Sequence, residues 1–480
     1  MKKTGGFRAA WLLFAAVVSQ ACGGAEPVEP GVVEPPAREV GVLERGAESD
    51  DILERLRAMP DVVVASEKVS PFPNTRFFTL WFAQPVDHRA QDGEWFWLRA
   101  TLLHRSFDAP TVVYGTGYAI RTTPGQSEPT MLLDANQLSV EQRFFSSSRP
   151  ESADWTKLDI EQTAGDYHRI IQAFKPMYPR RWLTTGASKG GMSAVYHRYF
   201  YPDDVDATVA YVAPSLHGLK DKRFVRFLDQ VGSEACRARL RDFQQDALRR
   251  REELLSVLES YGMEFTLLGM DRALEFAIVE SSFYFWMYER ESRCDTVPLP
   301  GAPANEMLDF VGNVTHMDVS YADSGVLYYA PYYYQSATEL GWNRFPTKHL
   351  RGLLSYPRQD VPATYLSFPV QVPFSQGLMR DVERWVRQQG ERMLFIYGET
   401  DPWSAGAFEV RERNDSFRFT APNTNHEDAF IGLLAAPERA QALSRLYAWM
   451  DAKPPPEGVS VLTSTGLEEV APLVDGRPPL

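Results

Sequence analysis

Residues 181–202 read RWLTTGASKGGMSAVYHRYFYP, an apolar start, a glycine turn around Ser188 and a helical run stopped by Pro202. Gly186 and Gly190 stand two places either side of Ser188. A serine hydroxyl pushed out of a sharp strand-to-helix turn needs neighbours without bulk, so that substrate can reach it. Gly-x-Ser-x-Gly also arises by composition alone, so the pentapeptide counts only in the right context.

The flanking sequence supplies that context. RFFTLWFAQPVDH and EWFWLRATLLHRS, separated by the turn signal RAQDG, predict an antiparallel hairpin, and PTVVYGTGY (110–118) predicts a short buried strand ending in glycines. A helix is expected from Ile160 to Phe174, ending before Pro176, and ATVAYVAPS (207–215) follows the Ser188 segment as another apolar strand. Strands alternating with helices give a mostly parallel, helix-covered sheet, which places Ser188 at a strand-to-helix junction.

From 216 to 358 the texture changes. Residues 235–262 predict one long surface helix, with Arg249, Arg250 and Arg251 on a solvated face. SSFYFWMYER (281–290) and VLYYAPYYYQ (326–335) concentrate aromatics, some lining a substrate cavity and the rest packing a core. This stretch reads as a helical cap. The sheet resumes after it, with a helix over 375–390 that has Ser375 as N-cap and Gly390 as stop, strands in RMLFIYGETDPWSAG and SFRFTAPNTNHEDAF, and a last helix from Pro437 to Met450. The expected organisation is therefore 51–215 and 359–453 as the two parts of one core, 216–358 as cap, and 454–480 as tail.

A serine needs a base, and an imidazole needs an acid to fix its tautomer. In an α/β-hydrolase these follow in the order Ser, Asp, His, the last two on loops after late strands. Ser188, Asp401 and His426 stand in that order and at those places. The other seven histidines fall on predicted helices, after early strands or in the cap. Glu399 and Asp415 compete with Asp401, which is favoured because Pro402 follows it at the start of a helix. A Ser188–Lys189 dyad is disfavoured because adjacent side chains on such a turn diverge. The oxyanion hole is expected from the Lys189 N–H and from Gly117 or Tyr118. No His-Gly-Gly signature of lipases is present, which lowers the lipase and esterase reading, and neither His-Glu-x-x-His nor paired Cys-x-x-Cys occurs, so neither metal nor cofactor is expected.

The N-terminus reads as an export signal. Lys2, Lys3 and Arg8 precede or flank the short apolar run AAWLLFAAVVS, and SQAC places Cys22 as a lipidation site. Residues 1–22 are thus a lipoprotein-type signal and 23–50 a Pro/Gly/Glu-rich tether. The expected location is the cell envelope or outside the cell, with a lipid at Cys22 as the only membrane contact. Cys236 and Cys294 are then an even pair, expected to form one disulfide. A net charge of -13 over 480 residues excludes nucleic acid as a natural partner.

The segment TTGASKGGMSAVYHRYFYPDDVDATVAYVAPS (184–215) resembles the nucleophile segment of the secreted bacterial tripeptidyl aminopeptidases, serine peptidases with prolyl specificity. FAQPVDHR, VEQRFFSSSRP, YGETDPWSAGAF and NTNHEDAF are similar to further segments of that family, and the first two also to the related lysosomal Pro-Xaa carboxypeptidase and dipeptidyl peptidase family. The resemblance runs from about Phe77 to about Met450. It implies an α/β-hydrolase with a helical cap that releases short peptides from substrates with a free N-terminus. Ser188 would be the nucleophile, His426 the base and Asp401 its orienting acid. A site for a charged amine needs a carboxylate, and Glu280 in the cap is one of several candidates. The rival readings are an esterase with the same three residues and a non-catalytic envelope lipoprotein.

Overall fold

Nine strands form a single sheet in the order β1-β2-β3-β5-β4-β6-β7-β8-β9. The computed structural model describes residues 49–90 and 93–454. Cys22, the export signal and the tether therefore lie outside the described residues, apart from residues 49 and 50 of the tether, as does the tail beyond 454.

Strands β1 (Val62–Lys68), β2 (Arg76–Pro85) and β3 (Trp95–His104) pair antiparallel, and β3 joins β5 (Asn136–Val140) antiparallel. From there every neighbour is parallel: β5 with β4 (Thr111–Gly115), then β6 (Trp182–Ala187), β7 (Ala207–Tyr211), β8 (Met393–Gly398) and β9 (Phe417–Ala421). Exchange of β4 and β5, with the glycine turn directly after β6, makes this the α/β-hydrolase fold. The inner parallel strands β5, β4, β6, β7 and β8 are buried on both faces, as helix-covered strands must be, whereas the edge strand β9 alternates buried and exposed residues. Helices α1 (Ile160–Phe174) and α2 (Lys189–Phe200) pack on this sheet. Asp159 caps α1 by accepting from the Gln162 N–H at 2.7 Å, and Ile170, Ile171 and Phe174 turn inward.

Strand β5 escapes a pattern-based reading because its sequence, NQLSV, is polar. Its polar side chains are nevertheless buried and used. Gln137 Oε1 accepts from the Ser127 N–H at 2.7 Å and Asn136 Oδ1 from the Arg105 N–H at 2.7 Å, so burial costs no hydrogen bond.

Between β7 and β8 the described chain adds no strand to the sheet. The expected single helix over 235–262 is two, α3 (Glu234–Arg249) and α4 (Arg251–Glu259), broken at Arg250 with φ -103° and ψ 23°. Of the arginine run only Arg249 is exposed to solvent as expected; Arg250 and Arg251 are half-buried. Arg251 turns into the cap to pair with Asp271 and Glu275, and Arg250 pairs with Glu253 and donates to the Ala302 carbonyl at 2.6 Å. Cys236 on α3 and Cys294 form a disulfide, their Cα atoms 5.6 Å apart. Helix α5 (Met270–Tyr288) follows, buried along nearly its whole length. Helix α6 (Leu378–Gln388) starts at Gly377 and not at the expected cap Ser375, which lies two residues before it with its N–H donated to the Thr338 carbonyl, so the helix has no side-chain cap. Helix α7 (Ala436–Trp449) closes the fold. One apolar cluster runs from Met192 and Val195 of α2 into Phe283 and Trp286 of α5, so the cap is continuous with the core.

The hairpin is locked to α1 by a buried ion pair. Arg143, fully buried, donates to both oxygens of Asp166 at 2.7 Å and to the carbonyls of Pro85, Val86 and Lys157. Burial alone would raise the Asp166 carboxyl, but Arg143 overrides it and holds the group below its usual range. Removing the guanidinium strands a buried carboxylate and three carbonyls. Arg143→Ala is therefore expected to cost about 3–5 kcal/mol in urea unfolding, and a loss below about 1 kcal/mol would show that the pair does not tie the hairpin to α1.

Candidate active site

The turn after β6 has the strain its sequence implies. Ser188 sits at φ 54° and ψ -126°, outside the regions an L-residue prefers. It is held there by backbone bonds, its N–H donating to Tyr211 O of β7 at 2.9 Å and its carbonyl accepting from the Met192 N–H at 2.9 Å. The flanking glycines are required by space. A Cβ on Gly190 would stand 2.0 Å from Gly115 O, and one on Gly186 would stand 2.4 Å from the Gly190 carbonyl carbon.

The loops after β8 and β9 bring Asp401 and His426 together. Asp401 is fully buried and caps the 3₁₀ turn Pro402–Gly406 by accepting from the Trp403 N–H at 2.9 Å. Its other oxygen, Oδ2, lies 2.8 Å from His426 Nδ1. The two loops are stitched to each other, since the Thr400 N–H and hydroxyl both donate to Thr424 O at 2.9 Å. A Cβ on Gly398 would meet Asn425 O at 2.5 Å, so the close approach depends on that glycine. The rival acids are occupied elsewhere: Glu399 accepts from the Asn423 N–H at 2.8 Å, and Asp415 pairs with Arg445 and accepts from Trp449 Nε1.

The cap fixes the histidine from above. The His426 N–H donates to Met287 O, near the end of α5, at 3.0 Å, and Arg290 donates to Asn423 O at 2.9 Å and pairs with Asp428. From below, buried Glu128 accepts from the Tyr211 hydroxyl at 2.7 Å and from the N–H groups of Ile431 and Gly432 at 2.9 Å. Tyr211 thus links the Ser188 turn and the histidine loop. Nothing in the sequence marked Glu128 for this, because its partners are 83 and more residues away. His426 Nε2 is buried and finds no hydrogen-bond partner among the described residues. Ser188 opens into a cavity whose walls include Tyr118, Lys189, Met287, Tyr332 and Trp403.

The expected oxyanion residues are all at this cavity or beside it. Lys189 opens α2, where backbone N–H groups lack helical partners and the helix dipole favours negative charge. Gly117, at φ 77°, packs its backbone against Lys189 and Gly190, where a Cβ would lie 2.7 Å from the Lys189 carbonyl carbon. The Tyr118 N–H is already donated to Thr116 Oγ1 at 2.9 Å. The Lys189 side chain folds back to give its Nζ to Gly117 O at 2.7 Å, over the rings of Tyr118 and Phe145. Burial pushes its ammonium down to about 7.

The remaining expected residue, Glu280, lies deeper in the cap. It is 1% exposed and accepts from the Tyr365 hydroxyl at 3.1 Å. Other histidines are structural: His168 and His197 both bond Asp204, His88 bonds Asp166, and burial pushes His104 down to about 4 beside the Tyr178 hydroxyl. Among the described residues no group of three or more His, Cys, Asp or Glu is placed to hold a metal ion.

The chain is 41% identical over 414 residues to the prolyl tri/tetrapeptidyl aminopeptidase of Streptomyces mobaraensis, an alignment covering 84% of this chain and 86% of that one. Among solved structures it is similar to the proline iminopeptidase of Mycobacterium smegmatis at 15% identity and TM-score 0.33, covering 80% and 98% of the two chains. It is also similar to acetyl xylan esterase 1 of a Thermoanaerobacterium species at 11% and 0.36, covering 83% and 90%. The family model for PS-10 peptidase S37 matches residues 46–461, a span that takes in the sheet, the cap and both loops that meet at His426. With most of its length inside that match, the chain belongs to the S37 peptidase family and is a serine peptidase.

Proposed function

We propose that the protein is an exported aminopeptidase that releases short peptides, of tripeptide type and ending in proline, from substrates with a free N-terminus. The observation that carries the chemistry is the 2.8 Å contact between His426 Nδ1 and Asp401 Oδ2, with Nε2 left unpartnered near the Ser188 cavity. Asp401 holds the proton on Nδ1, so Nε2 is the basic nitrogen. As Ser188 Oγ attacks the scissile carbonyl, its proton passes to His426 Nε2. The oxyanion is met by the Lys189 and Gly117 N–H groups, with Tyr118 set aside because its N–H is in use. Collapse of the intermediate breaks the C–N bond, and His426 returns the proton to the leaving amine. Water then attacks the acyl-enzyme, giving its proton to His426, and the released acid leaves Ser188 protonated again. Burial lowers the Lys189 ammonium, which reduces the positive charge set against the imidazolium that forms at His426 while its Nζ braces Gly117 O.

Substrate class is supported by the Streptomyces relative, and by the rings of Tyr118, Tyr332 and Trp403 in the cavity wall, which suit a proline ring. Glu280 is the proposed partner of the substrate amine. Export is supported by the disulfide and by the N-terminal sequence pattern, with Cys22 as the lipid-bearing residue. The test is hydrolysis of an Ala-Ala-Pro arylamide with a free amine, its N-acetylated form and a short acyl ester. The free-amine peptide is expected to be cut with the highest kcat/KM. Turnover of the ester alone would make the protein an esterase on the same scaffold.

A further inference from the structure

Glu280 is not alone in the cap. Asp360 reaches the same phenol, so that the Tyr365 hydroxyl lies 3.1 Å from Glu280 Oε1 and 3.3 Å from Asp360 Oδ1. Asp360 Oδ2 is buried and without a hydrogen-bond partner among the described residues. Around the pair, Tyr321 and Trp342 are 1% and 2% exposed, and the Tyr321 hydroxyl and Trp342 Nε1 turn toward the carboxyls without closing a hydrogen bond. Burial pushes both carboxyls above their usual range, and for Glu280 the charge of Asp360 adds to it. Two acids side by side among buried aromatic rings are costly as a pair of anions, a cost that a shared proton or a bound cation removes. Among the described residues no lysine or arginine pairs with either carboxyl.

A line of packed rings runs from the reaction centre to the carboxyls. Tyr118, beside Ser188, is 6.0 Å from Tyr332, Tyr332 is 6.3 Å from Trp342, and Trp342 is 6.0 Å from Tyr365. Distance along α5 sets a length. Glu280, Tyr284 and Met287 share one helix face at i, i+4 and i+7, and the Met287 carbonyl holds the His426 loop. Seven residues of α-helix span roughly 10 Å. An extended tripeptide also spans roughly 10 Å.

We propose that Glu280 and Asp360 together form the anchor for the substrate's terminal ammonium, and that the length of α5 from Glu280 to Met287, which holds the His426 loop, is the ruler that selects tripeptides. This rests on the aminopeptidase reading and adds to it a second carboxylate and a length rule. An ammonium carries three N–H donors, enough to bond both carboxylates at once.

The experiment compares wild type, Glu280→Gln and Asp360→Asn as full chains. Substrates are the free-amine and N-acetylated Ala-Ala-Pro arylamides, with labelling of Ser188 by a fluorophosphonate reporting that the reaction centre is intact. Each variant is expected to lower the free-amine to N-acetylated ratio of kcat/KM by about 10- to 100-fold, the worth of a charged hydrogen bond, with the change in KM. An unchanged ratio in both variants overturns the anchor, and a fall with Glu280→Gln alone overturns the pairing. If wild type cuts the acetylated peptide as well as the free one, the aminopeptidase reading fails first and the anchor with it. A length series needs no variant: wild type should prefer the Ala-Ala-Pro arylamide over Ala-Pro by about tenfold or more, since the shorter amine stops one residue short. Equal rates on the two would remove the ruler.

Discussion

Replacing Ser188 with alanine lowers kcat on a free-amine Ala-Ala-Pro arylamide by on the order of 10⁶-fold while leaving the fold in place. The size follows from the order of events. In the proposed mechanism, loss of Oγ removes the acyl-enzyme, and catalysis would fall back to what the Lys189 and Gly117 N–H groups and peptide binding supply, roughly 10³–10⁴ over water. The fold survives because the turn is fixed by backbone bonds to Tyr211 and Met192 and by glycine spacing, none of which uses the hydroxyl. The measurement is kcat/KM beside a thermal melt. A loss of less than about a hundredfold with an unchanged melt would mean that another residue makes the covalent bond.

Asp401→Asn is expected to lower kcat by about 10⁴-fold with little change in KM. Here the reason is a tautomer. Asp401 accepts two hydrogen bonds, one from the Trp403 N–H through Oδ1 and one from His426 Nδ1 through Oδ2. The amide has one oxygen, which the Trp403 N–H claims, and its NH₂ then faces Nδ1. A donor at that place forces the ring proton onto Nε2, and an Nε2–H cannot take the serine proton. Asp415→Asn is the control, because Asp415 serves Arg445 and Trp449 on the far side of β9. Equal losses from the two substitutions would show that Asp401 acts through stability and not through His426.

The elements that place Ser188 were legible because each is decided locally. Apolar runs of five or six residues make buried strands, glycines at 186 and 190 permit a positive φ between them, and Pro202 stops the helix. The helix from 160 to 174 was equally plain, since its apolar spacing and the stop before Pro176 lie within one short window. Strand β5 was not, because its buried polar residues are satisfied by partners that adjacency in sequence does not reveal. The break at Arg250 was hidden for the same reason, since the groups that hold Arg250 and Arg251 include Ala302, Asp271 and Glu275, up to 52 residues away.

Sequence alone determined the chain order of serine, acid and histidine and the strand ends on which they stand, because periodicity and glycine placement act over a few residues. The sequence favoured Asp401 over Glu399 and Asp415, and the tertiary structure brought it to His426; the tertiary structure alone decided that Glu128 ties the histidine loop to Tyr211 and that Asp360 joins Glu280 at one tyrosine. Each of those depends on which side chains a folded sheet and its cap bring within hydrogen-bond distance across tens to hundreds of residues, and no local pattern encodes that distance.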